Sequence, residues 1–281
     1  SASRRDFIKL SAAAAAGAAT LSVAESAHAA GNETIRVGLI GCGGRGTAAA
    51  GQALAAHPSV KLVAMCDVFK DKIEASRQEL KTKHAEQVAV DDDHCFAGLR
   101  YKDVIEASDV VLIACASKFH PYYAEAAIQA GRHVFVEKPH GIDSAGVKKM
   151  KTVCELAKSK NLCIMSGLHS RWHKGWQETI KRIHDGAIGD IIAIQAMFLR
   201  PAYGLVQRPP GMSELLYHFR NWYHFCWLSG DDVPQSLVHN IDRASWVLKE
   251  QQPKWAFGLA GRSASFGEQF GDMYDHHTVV Y

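Results

Sequence analysis

The sequence predicts an α/β protein built on a doubly wound parallel sheet. Three observations carry this. Short apolar runs of strand length alternate with longer stretches of helical pattern. A glycine-rich turn, Gly41-Cys42-Gly43-Gly44-Arg45-Gly46, follows the first of these runs and opens a helix. An acidic residue, Asp67, closes the second run, 21 positions after Gly46.

The elements follow in order. Ile35–Ile40 reads as a strand, and "TAAAGQALAAH" after the glycines as a helix. Val60–Cys66 is the second strand and Phe69–His84 the second helix. Asp109–Ala114 is another buried strand. Pro121 sits at a helix start, with Tyr122–Ala130 behind it and Gly131 as its stop. His133–Val136 is a strand that runs into Glu137-Lys138-Pro139. Ser144–Lys160 is helical and Leu162–Met165 strand-like. The texture changes after Gly167, so the domain boundary is placed near Ser166. Beyond it, Gln177–Asp185 reads as a helix, Ile191–Phe198 as a longer strand and Ser236–Leu248 as a helix. Strand-like pieces lie near Trp255–Leu259 and Thr278–Tyr281. The reading therefore divides the chain into residues 1–29, 30–166 and 167–281.

The glycine turn has a specific physical use. Gly41 allows the tight bend, Gly43 lets the backbone approach a pyrophosphate, and Gly46 lets helix and strand pack closely. The helix N-terminus offers unpaired N–H groups to the phosphates. Asp67 is placed to accept from the ribose hydroxyls and to repel a 2′-phosphate. NAD is the expected cofactor, with NADP less favoured and Lys70 close enough to soften the preference.

Composition excludes other classes. The net charge is +3 with no basic block, so no nucleic-acid partner is expected. The seven cysteines form no C-x-x-C pair and no disulfide framework. Cys42, Cys66, Cys115 and Cys163, in or beside apolar strand-like runs, read as small buried apolar residues. His169 and His173 lack a third ligand, and no metal is expected.

The first residues read differently. Arg4-Arg5 precedes Phe7, an Ala-rich stretch runs from Ser11 to Val23, and Ala27-His28-Ala29 is a small-residue cleavage site. This is the order of a twin-arginine export signal, with cleavage near Ala29–Ala30. The apolar stretch is too short for stable membrane insertion. The expectation is a periplasmic or exported protein that meets the twin-arginine machinery already folded. The chain has no initiator Met and ends in a strand-like run, and it is expected to be a fragment.

The pieces "VGLIGCGGRG", "MCDV", "DVVLIACASKFH", "AGRHVFVEKP" and "HNID" together resemble the Gfo/Idh/MocA family. The resemblance implies NAD(P)-dependent chemistry on a sugar or cyclitol. It also implies a second α/β domain with a large, open, mostly antiparallel sheet, truncated here, through which homo-oligomers form. Gly41, Gly43, Gly44, Arg45, Gly46, Asp67, Ala114, His120, Glu137 and Lys138 become the candidate cofactor contacts. Lys138 matches the family's active-site lysine, and His120 its histidine beside the nicotinamide. His239 matches the catalytic histidine of a D-x-G-x-H-x-x-D pattern and Asp242 its last residue. Gln235 and Leu237 stand where that pattern has Asp and Gly. Arg171, Trp222, Tyr223, Gln235 and Asp242 are the candidate substrate contacts. His239 is the expected base and Lys138 the group that stabilises an alkoxide. Three functions follow: an oxidoreductase acting on a secondary hydroxyl, an NAD-dependent glycosidase that oxidises, eliminates and re-reduces, and a non-catalytic sugar-binding protein.

Overall fold

The computed structural model describes residues 34–281. The proposed export signal, residues 1–29, lies outside the described residues. Six parallel strands form the main sheet: β1 (Ile35–Ile40), β2 (Val60–Asp67), β3 (Cys95–Ala97), β4 (Val110–Ile113), β5 (His133–Val136) and β6 (Ile164–Ser166). Their order is β3-β2-β1-β4-β5-β6, the doubly wound arrangement. The strand order reverses between β1 and β4, and the crevice at their carboxyl ends is where ligands of such sheets bind.

Helices cover both faces. The face with α1 (Gly44–Ala56) and α2 (Lys70–His84) packs Ala50, Leu54, Ile73 and Leu80 onto Val37, Leu39 and Leu62. The opposite face carries α3 (Tyr101–Ala107), α4 (His120–Gln129) and α5 (Ser144–Ser159). There Ala124, Ile128, Met150 and Val153 close over Val111, Ile113 and Val134. Strands buried on both sides read as continuous apolar runs, which is why they stood out in the sequence. The Asp143 carboxylate caps α5 by accepting from the Gly146 N–H at 2.6 Å. Pro121 sits in the first turn of α4, where a missing N–H costs nothing. The structure adds β3 and α3, whose short apolar runs gave no separate signal.

The second half is more open. It contains α6 (Lys174–His184), α7 (Glu214–Arg220), α8 (Cys226–Ser229) and α9 (Val238–Val247). An antiparallel pair follows, β7 (Phe257–Gly261) and β8 (His276–Val280), with Leu259 opposite Thr278. Two expectations are corrected. Ile191–Phe198 forms no strand, because no neighbouring strand pairs with it among the described residues and its backbone lacks a ladder. The helix expected from Ser236 begins instead as a π-helical turn, Val233–Leu237, before α9 takes over. Within the described residues the antiparallel sheet has these two strands.

Two glycines fix the first turn. Gly41 has φ +97°, and a Cβ there would lie 2.5 Å from the Ala114 carbonyl carbon. A Cβ at Gly46 would lie 1.8 Å from the Gly41 carbonyl oxygen. Neither obstacle is a movable side chain end. Gly46→Ala should therefore destabilise the protein by about 1–3 kcal/mol, as for an overpacked core site. Urea unfolding of parent and variant measures this.

Candidate active site

The glycine turn leaves an open cradle. A Cβ at Gly43 or Gly44 would meet nothing within 4 Å. No side chain caps the N-terminus of α1, so its first N–H groups point outward without a side-chain acceptor. Asp67 lies beside them at the end of β2. Its carboxylate accepts from the Cys42 N–H at 2.8 Å and from the Phe69 N–H at 3.0 Å. Burial raises its pKa, and these two hydrogen bonds oppose that rise. Two acceptor oxygens hold four lone-pair sites, so room is left for hydroxyl donors. The cleft in front of these groups has a volume of about 170 Å³. Gly43, Asp67, Phe69, Tyr101, Ala114 and Trp222 are among its walls. An uncapped helix end, a glycine cradle and a carboxylate at the neighbouring strand end fit a dinucleotide.

Arg45 leaves the turn and spans to β5. Its Nε donates to Glu137 Oε1 at 2.5 Å. Glu137 is buried, and its second oxygen accepts from the Lys138 N–H at 3.2 Å. Lys138 is thereby set at the sheet's carboxyl edge, and its Nζ donates to the Gln235 carbonyl at 2.5 Å. Burial lowers the Lys138 pKa, while Glu137 and Asp232 pull it back up.

His239, on α9, lies near enough for the Lys138 charge to disfavour its protonation. Burial is the larger cause, and together they bring its pKa down to about 4. Its Nδ1 is buried without a partner. One helical turn on, Asp242 Oδ1 accepts from the Arg171 Nε–H at 2.9 Å, and its buried Oδ2 has no partner. Two orphaned polar atoms on one helix face mark a place for a polar ligand.

Other expected residues take different stations. His120 is buried, with Nδ1 2.7 Å from the Pro139 carbonyl and Nε2 3.1 Å from the Cys115 carbonyl. It braces the loop that carries Lys138. Gln235 is not placed to touch substrate: it is 1% exposed, and its amide donates to Ser117 Oγ at 2.9 Å and to the Ser229 carbonyl. The π-helical turn points this side chain inward. Arg171 is committed to Asp242 and to Glu250, the latter at 2.7 Å. Trp222 walls the dinucleotide cleft. Tyr223 stacks between Trp222 and Tyr203, with ring centroids 3.9 and 4.2 Å away.

The sequence reading missed several neighbours. His169 packs edge-on against His239 at 4.8 Å, a place signalled only by its position just after β6. His140 shares a 2.8 Å hydrogen bond with Ser166 at the end of β6. Arg200 donates to Asp232 at 2.6 Å and lies 3.2 Å above the Tyr203 ring. Both charges act on Lys138. No local pattern links Arg200 to Asp232. Among the described residues no group of three or more His, Cys, Asp or Glu side chains could hold a metal ion.

With this geometry in view, residues 35–168 match the family model described as "Oxidoreductase family, NAD-binding Rossmann fold" (GFO_IDH_MocA). The matched segment spans the six-stranded sheet and the helices that cover it. The chain is 35% identical over 147 residues to a "Glycosyl hydrolase family 109 protein" of Solibacter usitatus, covering 49% of this chain and 33% of that protein. It is 25% identical over 248 residues to "Myo-inositol 2-dehydrogenase" of Thermotoga maritima, covering 88% of this chain and 64% of the relative. The crystal structure of myo-inositol 2-dehydrogenase from Lactobacillus plantarum superposes with a TM-score of 0.63 at 25% identity. That match covers 88% of this chain and 66% of the other. The chain thus spans a third to just under two thirds of these relatives.

Acid exposes the buried histidines. In the folded protein His120 and His239 stay neutral down to about pH 4, mainly through burial. Unfolded, each binds a proton near its ordinary value of about 6.5. Between these values the unfolded state holds more protons, so stability is full above about pH 6.5 and declines as the pH falls towards 4. The urea midpoint should be lower at pH 5 than at pH 7. His120→Gln should show a smaller difference between the two.

Proposed function

We propose that the protein is an NAD-dependent oxidoreductase acting on a secondary hydroxyl of a cyclitol or pyranoside. One observation carries the reading. Lys138 at the strand edge and His239 with its orphaned Nδ1 stand together beside the dinucleotide cradle. The family match of residues 35–168 and the inositol dehydrogenase relative support it.

NAD, when bound, supplies the acceptor for the hydride that leaves the carbinol carbon. The chain's residues manage the proton. A substrate hydroxyl placed at His239 Nδ1 meets a neutral acceptor at pH 7, because that ring stays unprotonated down to about pH 4. The Lys138 ammonium turns from the Gln235 carbonyl towards the oxygen as negative charge grows on it. The carbinol carbon becomes a ketone carbon, its hydroxyl proton having passed to His239. Asp242 Oδ2 offers a second acceptor for a neighbouring hydroxyl. Tyr223 and Tyr203, stacked on each other and covered by Trp222 and Arg200, brace the neighbouring wall.

A second reading rests on the 35% identity to the family 109 protein and on Gln235. In it, the same oxidation acidifies a neighbouring C–H, the glycosidic oxygen leaves by elimination, water adds to the resulting double bond, and the ketone is then re-reduced. Such a cycle ends with the cofactor oxidised and suits an exported enzyme. We propose that Arg4-Arg5 directs that export.

Absorbance at the reduced-nicotinamide band separates the readings when candidate cyclitols and pyranosides are added. A dehydrogenase stays reduced until a second carbonyl compound arrives. A glycosidase returns unaided and releases an aglycone, and a non-catalytic binder changes nothing. Lys138→Ala and His239→Ala should each cost about a hundredfold or more in rate while NAD binding survives. Full turnover in both would overturn the site. For export, cell fractionation should find Arg4→Lys/Arg5→Lys trapped inside, and normal export of that double variant would refute the signal.

A further inference from the structure

Residues from beyond the Rossmann domain also reach the dinucleotide cleft. Phe219, Arg220 and Trp222, at and just after the end of α7, wall it together with Asp67, Phe69 and Ala114. They are anchored on both banks. On the β4 side, Phe219 stacks on Phe119 with centroids 5.8 Å apart. On the β2 side, Arg220 Nη1 donates to Asp71 Oδ2 at 2.8 Å, and its guanidinium lies 4.1 Å above the Phe69 ring. Asp71 sits in the first turn of α2, where the helix dipole favours a carboxylate. Arg220 and Asp71 are 149 positions apart, so the contact is tertiary. The end of α7 therefore lies across the mouth from one bank to the other, at the end that Asp67 lines.

We infer that Arg220 clamps the adenosine end of the dinucleotide cleft and sets how slowly the cofactor leaves. The inference rests on reading this cleft as the NAD site. The bridge must part for a dinucleotide to pass. Its ion pair is partly exposed, with Asp71 at 60% and Arg220 at 22% side-chain exposure, so its weight is modest and sensitive to salt. The Asp71 carboxyl is nonetheless held below the usual carboxylate range, chiefly by its hydrogen bond to Arg220. Stacking on Phe69 makes arginine, rather than lysine, the fitting cation.

The test uses the full chain loaded with NADH. Release is followed as loss of nicotinamide fluorescence after a large excess of NAD is added. Arg220→Ala should release NADH about fivefold faster, the weight of one exposed ion pair. Asp71→Asn should match it, and the double variant should be no faster than either. Arg220→Lys should fall between. Added salt should quicken release from the parent and leave Arg220→Ala unchanged. Asp71→Asn alters an exposed side chain and keeps the test if Arg220→Ala fails to fold. Release at the parent rate from Asp71→Asn, or a parent rate indifferent to salt, overturns the clamp even if Tm falls. A parent chain that takes up no NADH overturns the dinucleotide reading, and the clamp with it.

Discussion

The candidate site is organised around one buried carboxylate. Glu137 is 6% exposed at the end of β5, and a charge there is costly unless paired. Its partners come from separate segments. Arg45 reaches it from the glycine turn, and the next residue's own N–H closes on its second oxygen. Gly167 makes room for it, since a Cβ there would lie 2.7 Å from Glu137 Oε2. Satisfying this one charge draws together the turn after β1, the end of β5 and the loop after β6. Those are the places where a doubly wound sheet presents its ligand groups. Arg45 is 43% exposed on its side chain, so solvent weakens the pair and geometry is its main product.

The second half is tied to this framework by backbone and aromatic contacts more than by charge. The Gln235 carbonyl receives Lys138, and the Gln235 amide reaches Ser117 on the loop after β4. Phe219 adds a stacked contact to Phe119 on the same loop. These contacts make the π-helical turn before α9 a shared wall of the site. Its widened start turns the Gln235 side chain inward and presents its carbonyl outward. A helix that began as a plain α-helix would place residues 235, 239 and 242 on one stripe. The observed turn keeps His239 and Asp242 together and removes Gln235 from their company.

The Rossmann half was legible because its signals are local. Apolar runs of strand length, glycines at fixed spacing and an acid at the next strand end need no knowledge of distant residues. The order of the strands in the sheet follows from them. The second half resisted for a physical reason. Ile191–Phe198 has the composition of a strand, but a strand exists only with a partner ladder, and composition says nothing of partners. The same limit hid Arg200 beside Asp232 and Arg220 beside Asp71, pairs made by tertiary approach alone. His120 and Gln235 were recognisable as residues near the site. Their inward bracing depended on where two carbonyls and a serine hydroxyl come to lie, which spacing cannot give.

Gln235 gives the site a neutral residue at the place where the D-x-G-x-H-x-x-D pattern has an acid. The Gln235 side chain turns to Ser117 and Ser229, and Lys138 bonds the main-chain carbonyl of residue 235, a neutral acceptor that any residue there would offer. Lys138 then keeps its lowered pKa, and its positive field adds to burial in keeping His239 neutral. Proton transfer from a substrate hydroxyl needs that neutral ring together with a cation for the oxygen left behind. The two requirements conflict when the groups share a pocket, because each cation disfavours the other. Here the conflict falls on the histidine, which is the group that must be empty to receive a proton. The proposed division of labour between Lys138 and His239 therefore rests on burial, on the Lys138 field and on a main-chain hydrogen bond, and needs no acid at position 235.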